Sequence, residues 1–73
     1  MSPDRATAAN TAAFLNTMTH ANARDGLRKV LTAIAEHLRL ERGWPPEEVA
    51  KFIGQFGDLV ASEMRAQANA ARH

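Results

Sequence analysis

The sequence predicts an all-α protein, a small bundle of about three helices, on three observations. Apolar residues recur at helical spacing in two long segments, helix-starting and helix-ending residues stand at the segment borders, and no segment alternates apolar and polar residues as a half-buried strand would. Residues 1–73 read as one domain. A core of this size rarely supplies more than about 3–5 kcal/mol without a disulfide, a metal or a partner subunit. The chain has no cysteine to make a disulfide.

The first predicted helix starts at Ser2-Pro3-Asp4, in the order N-cap, first-turn proline, first-turn acid, and runs to about Asn22. Its bulky residues are only Phe14, Leu15 and Met18, so it is expected to cover a neighbour rather than to nucleate a core. The second helix spans 24–42. Leu27, Val30, Leu31, Ile34 and Leu38 fall on one face, while Arg28, Lys29, Glu36 and Arg39 fall elsewhere. Gly43 suits a C-terminal cap, with Trp44 as its hydrophobic cover.

The third helix spans 46–68. Pro46 fits the first helical position, and Glu47 and Glu48 meet the positive end of the helix dipole. Val49, Phe52, Ile53, Phe56, Leu59, Val60 and Met64 then hold one register, which makes this helix the antiparallel partner of the second. The alanine-rich tail from Ala66 to His73 is expected to fray.

The net charge is +1, and acids and bases alternate along the chain instead of forming a basic stripe, which lowers the weight of a nucleic-acid module. No run is long and apolar enough for a signal peptide or a membrane span, so the chain reads as soluble and cytoplasmic. His20, His37 and His73 are too far apart for a helical metal pair, and the only serines, Ser2 and Ser62, lack a nucleophile-elbow context. His37 and Glu41, four residues apart, read as a surface pair. No catalytic, metal or cofactor residue is assigned, and the reading is non-enzymatic.

The stretch FIGQFGD, residues 52–58, decides how the third helix is used, because Gly54 and Gly57 weaken a helix by about 2 kcal/mol together relative to alanine. As a Gly-x-x-Gly phosphate loop it lacks both the flanking strands and a cation between the glycines. In LRLERGWPPEEVAKFIGQFGDLVASEM, Leu38 to Met64, the spacing of Ala50, Gly54 and Val60 resembles the helix-turn-helix of the phage-repressor (Cro/repressor) family, in part of its pattern. That resemblance implies a turn at Gly54 and a DNA-binding transcription regulator, with Arg28, Lys29, Arg39, Lys51 and Arg65 as phosphate contacts. The residues it would aim at the major groove, Phe56, Gly57, Asp58, Ala61 and Ser62, include one acid and no base.

A third reading places both glycines in a lane. On a helical wheel Ala50, Gly54, Gly57, Ala61 and Ala68 lie together at roughly 80° to 140° from Val49, beside the bulky stripe. Small residues let a neighbouring backbone come close, and the combined apolar and small arc of roughly 200° is wider than one neighbour needs. The occupant would be the first helix or a second copy of the chain. The favoured expectation is therefore a protein-binding regulator, an adaptor or inhibitor, that packs a helix face on a partner and pairs with itself as a homodimer. Its expected interface comprises Ala50, Phe52, Gly54, Phe56, Gly57, Leu59 and Ala61, with Leu40 and Trp44 as further anchors.

Overall fold

The computed structural model describes residues 3–71, and among these it forms three helices and no strand. They are α1 (Arg5–Leu15), α2 (His20–Leu40) and α3 (Pro46–Ala71). The all-α hairpin-plus-helix architecture expected from the sequence is the one found.

Helix α1 begins later and ends sooner than the sequence reading has it. Asp4 is its N-cap, accepting from the Thr7 N–H at 3.2 Å and from the Thr7 hydroxyl at 2.9 Å. The expected cap, Ser2, lies outside the described residues. Continuation to Asn22 is prevented by a cluster of short polar residues that bond locally and so compete with the helix. The Thr17 hydroxyl donates to the Phe14 carbonyl at 2.6 Å, and Thr19 becomes the N-cap of α2 by accepting from the Asn22 N–H. The chain turns at Asn16–Met18, and Gly26 lets it turn tightly: a Cβ there would stand 3.2 Å from Leu15 Cδ2.

Helix α2 ends at Leu40 with Glu41 as its C-cap, and the chain then reverses through Gly43, whose φ of +67° lies in the left-handed region that suits glycine. The Trp44 N–H donates to the Leu38 carbonyl at 3.0 Å, and the Trp44 ring meets Phe52 edge-on at 5.6 Å. Helix α3 then runs unbroken through Gly54 and Gly57 as far as Ala71, so the alanine-rich segment expected to fray is helical to that point. His73 lies outside the described residues.

The core sits mainly between α1 and α3. Ala8, Ala12 and Leu15 share one face of α1 and are buried with Ala23, Phe56 and Val60, and the apolar stripe of α2 packs around them. Leu38 and Val49 close the other end, beside the hairpin turn. Helix α1 thus packs chiefly on α3, although it carries few bulky residues. Polar clamps hold it there. Arg5 Nε donates to Glu63 Oε1 at 3.0 Å, Gln67 Nε2 to the Ala9 carbonyl at 3.0 Å, and Asn16 Nδ2 to the Met64 carbonyl at 3.2 Å. Phe14 points away from this contact and is 62% exposed. Among the described residues no helix is long and apolar enough to cross a membrane.

Candidate protein-binding face

The expected interface residues divide between core and surface. Phe56 is only 3% exposed and belongs to the core of the free chain, so it is not available as a contact. Phe52 is half-buried, stacked on Phe56 with centroids 6.4 Å apart and capped by Trp44, itself half-buried. Leu59 is half-buried and borders a shallow hollow with Pro3, Gln55 and Asp58. Leu40 is 69% exposed on the charged back of α2.

The small residues are different. Ala50, Gly54 and Ala68 are exposed, and Gly57 and Ala61 are half-buried. A Cβ added at Gly54 would meet nothing within 4 Å, and one at Gly57 would make ordinary contact, 3.6 Å, with Leu31 Cδ1. Neither glycine is required by a neighbour inside the chain. The first helix, one of the two expected occupants, is anchored to the Glu63 and Gln67 flank of α3 and leaves the Ala50 and Gly54 flank open.

The open flank continues onto α2. Arg24, Leu27, Arg28, Leu31, Thr32, Ala35 and Ile53 line one depression between the helices. Asn16, His20, Ala23, Arg24, Leu27, Ala61, Met64, Arg65 and Ala68 line a second. Leu27 and Leu31 belong to the α2 stripe that the sequence assigns to burial, yet each is only half-buried. Arg24 was not singled out from the sequence. Its position three before Leu27 and seven before Leu31 puts it on the same flank of α2, and that was the signal available.

The residues named as phosphate contacts are exposed but not gathered into one array. Asp25 pairs with Lys29 Nζ at 3.0 Å and with Arg28 Nη2 at 3.5 Å. The Lys29 hydrogen bond and charge, helped by Arg28, hold the Asp25 carboxyl below its ordinary pKa. Arg28 and Arg65 edge the two depressions, whereas Arg39 and Lys51 line neither. Gly54 lies within an unbroken helix, so the turn that a helix-turn-helix requires there is not formed. His37 and Glu41 form the surface pair expected of them. No family model, no curated protein and no solved structure matches the chain.

Proposed function

We propose that the chain is a small non-enzymatic regulator, an adaptor or inhibitor, that binds a partner protein by helix packing on the α2–α3 face. One observation carries the reading: two glycines stand in the middle of a long helix, and no contact among the described residues needs them. Each weakens the free helix by about 1 kcal/mol relative to alanine. A helix from outside, approaching closely over Ala50, Gly54 and Ala61, supplies dispersion contacts that offset that loss.

The face also has the form of a helix-in-groove site. Two parallel ridges, Leu27 with Leu31 on α2 and Ile53 with Met64 on α3, flank small residues and stay partly open to water. A different protein and a second copy of the chain are the two candidate occupants. Light scattering of the free chain reports directly on the second.

Affinity capture from host lysate tests the reading, comparing the full chain with Gly54→Trp. The added side chain starts in open space, so the variant folds, which circular dichroism checks. The expected result is a protein retained by the natural chain and lost by Gly54→Trp, while substitution of exposed Leu40 on the opposite side of α2 leaves it bound. Equal retention by both chains, or no retention and no self-association by either, overturns it.

A further inference from the structure

The two depressions on the α2–α3 face form one groove, because Arg24 and Leu27 line both. Its floor is apolar, with Leu27, Leu31 and Ile53 at the centre, and the charged side chains on its walls are Arg24, Arg28 and Arg65. Among the described residues Arg24 and Arg65 make no ion pair, and no carboxylate lines either depression. The acid beside them, Asp25, shares an adjoining hollow with Arg24 and Arg28 and pairs with Arg28 and Lys29, which leaves the rim net cationic. An apolar floor with a cationic rim is complementary to one kind of surface.

We propose that this groove seats an acidic amphipathic helix of another protein, an inference that rests on the protein-binding reading above. On α3 one depression reaches Ile53 and the other runs from Ala61 to Ala68, so together they span about 22 Å of that helix, the length of about four helical turns. The occupant presents an apolar stripe to Leu27, Leu31 and Ile53 and places glutamates or aspartates along its flank against Arg24 and Arg65. Arginine suits that rim, since its long stem packs on apolar surface while the guanidinium takes a carboxylate in a two-pronged contact.

The rim argues against a second copy. A two-fold pairing of groove with groove presents the same patch from both chains, so arginines face arginines, and the acid beside them, Asp25, is already engaged by Arg28 and Lys29. On α3, Glu63 lies on the α1 flank and is paired with Arg5, and Asp58, two turns before Arg65, borders the separate hollow with Pro3, Gln55 and Leu59. Nucleic acid is a poorer fit because the floor between the arginines is apolar, the Asn16 amide and Thr32 hydroxyl at its edges donate to the Met64 and Arg28 carbonyls, and no Phe or Trp lines either depression for a base to stack on. A membrane needs a protruding apolar face, whereas this one is recessed between two helices.

The test uses the full chain and two labelled four-turn helical peptides with the same leucine and alanine stripe, one flanked by glutamates and the other by lysines, followed by fluorescence anisotropy. The glutamate peptide is expected to bind and the lysine peptide not. The double variant Arg24→Glu, Arg65→Glu is expected to weaken the glutamate peptide about tenfold and to favour the lysine peptide. Both arginines are exposed, so the variant retains the helical signal of the natural chain. Equal binding of the two peptides, binding of neither, or an affinity unchanged in the double variant overturns the proposal. So does tighter arginine-dependent binding of duplex DNA or of phosphatidylserine vesicles, or a dimer that Ala61→Trp dissociates. A host protein that is lost with Gly54→Trp but kept by the double variant refutes the acidic helix while leaving the protein-binding reading intact.

Discussion

Two runs of small residues occupy this molecule, and their fates are opposite. Ala8 and Ala12 on α1 are completely buried, whereas Ala50 and Gly54 on α3 are exposed. The difference lies in what stands opposite. Phe56 and Val60 fill the space over the α1 alanines, so a thin helix and a bulky one make a tight pair. Among the described residues nothing lies within 4 Å of a Cβ placed on Gly54. The choice of residue follows the same division, since the buried run uses alanine, the best helix former, and the open run contains two of the four glycines of the chain. A small residue marks a place where a backbone can come close, and only the partner surface decides whether it does.

Inserting the same side chain in both runs is the strongest way to break this comparison. Ala12→Leu forces three extra carbons into a filled contact and should lower unfolding stability by about 1–3 kcal/mol, while Gly54→Leu should raise it by about 0.5–1 kcal/mol. Urea titration of the two variants measures both; a loss at Gly54 like that at Ala12 would mean the lane is already filled.

Alanine substitutions sharpen the point within the glycines themselves. Gly54→Ala should stabilise the free chain by about 1 kcal/mol, with Gly57→Ala close behind. Gly26→Ala should gain nothing, because its Cβ meets Leu15 Cδ2 at 3.2 Å and Leu15 is buried and cannot retreat. If Gly54→Ala also weakens partner binding, the stability given up by the natural residue has a functional counterpart.

A cap test separates α1 from α2. Thr19→Ala removes the acceptor for the Asn22 N–H and should cost about 1 kcal/mol, read by thermal melting. The smallest effect is expected from pH. Asp4, through its Thr7 hydrogen bonds, and Asp25, through Lys29 and then Arg28, both titrate below their ordinary value. A lowered folded-state pKa contributes stability that is present above the unfolded-state value, about pH 4, and is lost as pH falls through the folded-state value. Melts from neutral pH down to about pH 2 should therefore fall slightly at the acid end. Asp25→Asn should reduce that fall, and an acid-end decline of unchanged size would separate it from Asp25.

The sequence made the hairpin readable because its signals are local. A left-handed glycine, a first-turn proline and two periodic stripes all act within a few residues of where they stand. The break at Asn16–Met18 was missed although Thr17 and Thr19 carry it, since a threonine within an alanine-rich run reads equally as helix surface or as cap. Of the bulky residues the sequence offers on α1, Leu15 is buried as its size suggests while Phe14 is exposed, and the small Ala8 and Ala12 take the rest of the contact. Alanine contributes little to a hydropathy stripe, so the burying face of α1 left almost no periodic trace. At the binding face the lane itself was legible, but its open state was not, because exposure depends on where α1 docks. That docking rests on pairs such as Arg5 with Glu63 and Ala9 with Gln67, each 58 residues apart.

Those distant pairs also order events in time. Helices α2 and α3 are joined by the short segment 41–45 and can close on each other at little entropic cost, whereas α1 must find partners across almost the entire chain. It should be the last element to dock and the first to leave, with its amides exchanging hydrogen faster than those at the centre of α3. Each departure bares Val60 and Phe56 on the flank beside the lane, so the helix that carries the open face also carries one that opens only intermittently.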